Sequence, residues 1–176
     1  MISQTQTPGK SEFALKPLSK SGIDAALEKA EQYRLLNQPR FAESICLDIL
    51  DVEPHHQAAS VVLLLALTDQ FGQSSKTAKQ AKDIANSLND EYDRLYYTGI
   101  IHERQGSASL STRSHGSDFD AYEWYTEAME YYEKADAVNP NAKNEDPILR
   151  WNTCVRIITE NHLRKRPLDD LLPALE

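Results

Sequence analysis

The chain has 176 residues, 40% hydrophobic and 26% charged, with 19 basic against 27 acidic side chains and a formal charge of −8. This length supports one sizeable core and is short for two. The acidic balance argues against a nucleic-acid binder, because phosphate contacts demand a basic surface. The longest apolar run, residues 61–67, is far below the roughly 18 residues of a membrane span.

Residues 1–20 are rich in Ser, Thr and Gln and lack the basic start and apolar stretch of a secretion signal. They read as a flexible N-terminal segment, followed by one helical domain over 21–176, and a cytoplasmic protein is the expectation. Ser21-Gly22 precede a helix over about 23–36, whose Ala26, Leu27, Ala30 and Tyr33 follow helical spacing. Asn37-Gln38-Pro39 makes the turn, since Asn tolerates the left-handed conformation and Pro suits the next helix's first turn. A second helix carries Phe41, Ala42, Ile45, Cys46, Ile49 and Leu50 and ends at Pro54. The third, about 56–71, is apolar all round and so is covered on every side. Gly72 ends it, and Ser74-Ser75 cap a fourth helix that buries Ala78, Ala81, Ile84, Ala85 and Leu88.

A fifth helix over about 91–105 stops at Gly106, and the Ser-rich stretch 107–117 reads as a flexible loop, an insert spanning 106–118. A sixth helix runs over about 119–138 and ends before Asn139-Pro140. A seventh runs over about 147–163, and Pro167 and Pro173 bracket a short terminal turn. The whole reads as all-α, about seven helices with short polar turns.

Three spacings recur. Ala26-x2-Lys29-Ala30-x2-Tyr33 is followed by Ala42-x3-Cys46 and then Pro54; Ala128-x3-Tyr132, Ala135 and Pro140 repeat the second part; Trp151-x2-Cys154-Val155-x2-Ile158 repeats the first. In these positions the chain resembles the tetratricopeptide repeat family, over about 23–161 in three and a half repeats. The match is best for the second helix of the first and third units, and the second unit is degenerate around 76–93. The resemblance implies a right-handed superhelix of antiparallel helix hairpins, an α-solenoid whose first helices line a concave groove. It implies binding and scaffolding rather than chemistry.

By that resemblance the groove is lined by Leu27, Glu31, Arg34 and Leu35 in the first unit and Val61, Leu65, Thr68 and Asp69 in the second. Tyr96, Ile100, Glu103 and Arg104 line the third, and Asn152, Arg156 and Glu160 the fourth. A tail-clamp of the heat-shock chaperone kind needs Lys, Asn and Arg, and Leu27 and Glu31 stand where the first belongs. The expected function is therefore a non-catalytic adaptor for a protein or peptide of unknown identity. Its partner's apolar side chains are buried near Leu65, Tyr96 and Ile100, with Arg34, Glu103 and Arg104 setting orientation. A competing expectation is that the groove is closed by the chain itself, through Phe13, Leu15 and Leu18 or through Leu168, Leu171 and Leu172.

Other constellations point less sharply. Cys46 and Cys154 lie in apolar helical stretches without a CxxC, and read as small buried hydrophobes. His102-Glu103 lacks the second His of a zinc-protease helix, because Gly106 stands there, so His102 reads as a packing residue. His55-His56 lacks further ligands, and neither a metal nor another cofactor is expected. Glu123, Glu127, Glu130 and Glu133 form a solvated stripe on the sixth helix. Phe119, Tyr122, Trp124, Tyr125, Tyr131 and Tyr132 are too many for one buried face, and the excess points to an interface. This supports a second reading, a self-assembling module that dimerises through helix 119–138. A third, a helical enzyme or small-ligand binder, needs a closed polar pocket of pKa-shifted groups. No nucleophile elbow, phosphate loop or acid/base pair occurs in the sequence to name a reaction.

Overall fold

Helix punctuation in the sequence becomes helix ends in the structure. The computed structural model describes residues 13–72, 75–141 and 143–167. Most of segment 1–20, the cap at Ser74 and the Ser75 side chain, and Leu168, Leu171, Leu172 and Pro173 lie outside the described residues. A 3-10 turn, Lys20–Gly22, leads into α1, Ile23–Leu35. Asn37 then takes a left-handed φ of 56°, and the Gln38 N–H reaches back to the Tyr33 carbonyl at 2.8 Å. That closure satisfies carbonyls the helix would otherwise orphan. Pro39 opens α2, Pro39–Val52, in the first turn, where its missing N–H costs nothing.

Before α3, Gln57–Thr68, the Nδ1 of His56 accepts the Ala59 N–H at 3.1 Å. After α4, Ser75–Ser87, Asp90 caps α5, Glu91–Thr112, by accepting the Tyr92 and Asp93 N–H groups. α6 is Ser117–Ala137 and α7 is Asp146–Glu160. His162, at φ 53°, ends α7 as Asn37 ends α1, with the Leu163 N–H on the Ile158 carbonyl at 2.9 Å.

Each helix packs on the next in chain order, and α1 also packs on α3. α3 is covered by α1, α2 and α4, which accounts for its uniformly apolar sequence. Two main cores result. The first gathers Ala30, Ala42, Cys46, Leu64, Leu67, Ala81, Ala85 and Ile101 from α1 to α5. The second gathers Tyr96, Ile100, Ala121, Tyr125, Ala128, Tyr132 and Cys154 from α5, α6 and α7, and a small third cluster holds Ile23, Ile49 and Ala59. Leu65 and Tyr97 pack against both main cores. Leu18 packs against the third cluster, whereas Phe13 and Leu15 remain exposed. Among the described residues no helix is long and apolar enough to cross a membrane.

The expected stop at Gly106 and loop over 106–118 are corrected. α5 continues to Thr112, and only residues 113–116, with Arg113 and Gly116 at positive φ, connect it to α6. The glycine is there for a close approach. A Cβ on Gly106 would stand 2.9 Å from Cε2 of Tyr125, and one on Gly99 would stand 2.6 Å from Cε1 of Tyr132. Both pairs recur at a seven-residue interval, so the Tyr125 and Tyr132 rings lie directly on the α5 backbone. A glycine inside a helix costs about 1 kcal/mol. A buried tyrosine removes on the order of 150–250 Å² from water, and at ~25 cal/mol/Å² that is several kcal/mol, so packing wins. Beyond Gly106, the Ser107 and Ser111 hydroxyls donate to carbonyls one turn earlier, and Leu110 packs on the second core.

Candidate functional site

The odd-numbered helices are joined by a row of charged side chains. Arg34 on α1 donates from Nε to Asp69 Oδ2, at the end of α3, at 2.9 Å. The other Asp69 oxygen lies 3.8 Å from Nη2 of Arg104 on α5. One residue earlier on α5, both oxygens of Glu103 accept from Nη1 of Arg150 on α7, at 3.0 and 3.1 Å. Tyr132 on α6 donates to Glu103 Oε2 at 2.6 Å, and Arg150 Nε donates to the Tyr96 hydroxyl at 3.0 Å. Burial, and then the neighbouring Glu103, push the Tyr132 phenol well above its ordinary range. Burial is the largest single influence and opposes the charge on Arg150, but Glu103, Tyr132 and Tyr96 together outweigh it and raise the guanidinium's pKa.

The half of the row at Asp69 opens to solvent. There a cleft of about 240 Å³ is lined by Asn37, Thr68, Asp69, Phe71 and Arg104, with Ser107 and Ser111 from the last turns of α5. The unexpected helical continuation of α5 therefore forms one wall of the cleft. Ser107 is held in place by the Tyr125 hydroxyl at 2.9 Å. Arg104 is the least engaged charge: its side chain is 40% exposed and Asp69 is at the limit of an ion pair, while its buried Nε has no hydrogen-bond partner among the described residues. Its fork and the Asn37 amide present donors, and the Ser111 hydroxyl an acceptor, suited to the carbonyls and amides of a peptide backbone.

Of the residues expected to line a groove, Arg34, Asp69 and Arg104 are brought together here. Tyr96, Ile100 and Glu103 are corrected: Ile100 is 2% and Glu103 8% exposed, and all three face the α6–α7 side as core or as the buried ion pair. The reason is the close α5–α6 contact, which turns that face of α5 inward. Leu27 and Leu65 are half-buried against the cores, and Val61 is half-buried on α3. Glu31 and Arg156 are exposed on α1 and α7, and no contact brings either to the row.

Sequence reasoning missed Arg150 and Asn37 as site residues. Arg150 is flanked by Ile148, Leu149 and Trp151, and a lone cation in such a run is a signal that it has a buried partner. The surplus of aromatics on α6 is absorbed largely by the chain itself. Tyr125 and Tyr132 are buried, while Lys82, Lys134 and Arg166 stand over the rings of Trp124, Tyr131 and Phe119. Cys46 and Cys154 are free, fully buried thiols, pushed up to about 12 by burial. Among the described residues no group of three or more His, Cys, Asp or Glu side chains is placed to hold a metal ion.

No family model, curated protein or solved structure matches the chain.

Proposed function

We propose that the chain is a non-catalytic adaptor that holds a segment of a partner protein across its odd-helix face, on a right-handed, tetratricopeptide-like superhelix of hairpins. The ordered links α1–α3 through Arg34–Asp69, α3–α5 through Asp69–Arg104 and α5–α7 through Glu103–Arg150 support side-by-side first helices. The single observation that carries the reading is Arg104, a cation that lines the cleft with its side chain 40% exposed and only a 3.8 Å approach of Nη2 to Asp69. It supports hydrogen bonding to a partner's backbone, with Phe71 supplying the apolar contact. The apolar anchor is thus Phe71, not the buried Tyr96 and Ile100. A cytoplasmic setting belongs to the same proposal, in keeping with two free thiols.

The test is affinity capture from a lysate, followed by titration of the purified captured protein against wild type and Arg104→Gln. Arg104 is surface-reaching, so the variant retains the fold by far-UV circular dichroism. A loss of affinity of about tenfold, roughly 1.4 kcal/mol, is expected; unchanged affinity removes the cleft from the binding site.

A further inference from the structure

A second surface lies on α6 and α7 and shares no lining residue with the Arg104 cleft. α7 buries only Pro147 and Cys154 fully, and packs on α6. Between the two helices runs a largely apolar groove of about 310 Å³, floored by Tyr132, Pro147 and Trp151 and flanked by Ile148. Ile148 and its neighbour Leu149 are 45% and 58% exposed. Two antiparallel helices with an open furrow between them accept the ridge of a third helix. The furrow spans residues 132–136 and 147–152, so two to three turns of that helix suffice, with apolar anchors at i, i+3 or i+4, and i+7.

The last described residues are held away from this groove. Arg166 is tied to Asp120 and lies over Phe119, in the first turn of α6. The groove begins at Tyr132, at least 12 residues further along α6, or ~18 Å at 1.5 Å per residue. Leu18 is engaged elsewhere, packed on the third cluster with Ile49 of α2.

Charge selects the occupant. Within residues 130–152, Lys134 pairs with Glu130, and Arg150 is committed to Glu103. That leaves Glu133, Asp136, Glu145 and Asp146 against Lys143. Glu133 and Asp136 line the groove itself, and Glu133 accepts the Trp151 indole N–H at 3.2 Å. A second copy of a chain with a formal charge of −8 meets this rim with repulsion. We infer that the α6–α7 groove docks a cationic amphipathic helix of a partner protein, its apolar ridge on Trp151 and Ile148 and its Lys or Arg residues beside Glu133 and Asp136. This does not rest on the Arg104 cleft, and either surface can fail without the other.

The test titrates the full chain with three synthetic 14-residue peptides: an amphipathic Leu/Lys helix, a Leu/Glu helix of the same pattern, and a Leu/Lys peptide scrambled to remove the apolar face. The readout is the pair of tryptophan indole N–H signals by NMR, because Trp151 lines the groove and Trp124 does not. The Leu/Lys helix is expected to shift Trp151 and leave Trp124 in place. The Leu/Glu and scrambled peptides are expected to bind at least tenfold more weakly. The double variant Glu133→Lys, Asp136→Lys, and separately the exposed-site variant Ile148→Asp, each weaken the Leu/Lys helix at least tenfold with the fold retained by circular dichroism. Equal binding of all three peptides, or a shift at Trp124 alone, overturns the inference. A Trp151 shift on concentrating the peptide-free chain, with a doubled mass, makes a second copy the occupant and overturns it. Binding that requires removal of residues 168–176 assigns the groove to the chain itself and overturns it as well.

Discussion

His102 stands on α5 with its ring edge-on to Trp124 and Tyr131, centroids 5.3 and 5.1 Å away. Its Nδ1 lies 2.9 Å from Glu127 Oε2, without the alignment of a hydrogen bond. Burial first, and then the nearby Lys82 ammonium, lower its pKa from 6.5 to about 4. The folded state therefore holds His102 neutral, while the unfolded chain takes up the proton below about pH 6.5. Stability contributed by the neutral ring is complete above that pH and is lost as the pH falls towards 4. The loss reaches on the order of 2 kcal/mol by pH 4.5. Denaturant titrations at pH 7 and 4.5 check this against His102→Phe, which fills the same slot and removes that component. Parallel pH profiles for the two proteins refute it. At this scale the sequence carried residue character well: His102 and both cysteines pack as their apolar neighbours in sequence suggest. It did not carry pairing, because Glu103 and Arg150 are 47 residues apart and only the fold makes each the other's counterion. Once buried, neither is replaceable alone, since a lone buried charge is far costlier than the pair.

Among the helices, the α5–α6 pair shows most clearly how an element can mislead. Gly106 followed by a Ser-rich run carries the local signature of a helix end, and the helix passes straight through it. The signal that decides the matter is the shared seven-residue interval of Gly99 and Gly106 on α5 and of Tyr125 and Tyr132 on α6. Ala121, Ala128 and Ala135, on the same interval, are also fully buried. Gly99→Ala gains up to about 1 kcal/mol of helix propensity, but its Cβ meets the Tyr132 ring, which Glu103 holds by its hydroxyl. Overpacking of this kind costs about 1–3 kcal/mol. The expected outcome is a net loss of about 1 kcal/mol in urea denaturation; a gain would mean that the ring swings aside. The turns behaved differently. Asn37-Gln38-Pro39 ends α1 and opens α2 through local hydrogen bonds and the proline's position, so its chemistry was legible before any tertiary contact was known.

Across the whole molecule, Leu65 and Tyr97 are the apolar residues that touch both main cores, and the Arg34–Asp69–Arg104 row bridges the same helices on the outside. Leu65→Ala is expected to cost about 2 kcal/mol or more. It is also expected to separate the unfolding transition seen by tryptophan fluorescence, which reports α6 and α7, from that seen by far-UV circular dichroism. Coincident transitions in the variant would mean that the cores are coupled by other means. The all-helical architecture, its seven segments and the central position of α3 were determined by the sequence alone, because apolar periodicity and turn residues act over a few positions. The placement of the Asp69 cleft, the inward turn of Tyr96, Ile100 and Glu103 and the open α6–α7 groove were decided by the tertiary structure. Helical periodicity says which residues share a face, while which neighbour covers that face depends on how closely two backbones approach, and here two glycines on α5 and two tyrosines on α6 set that distance.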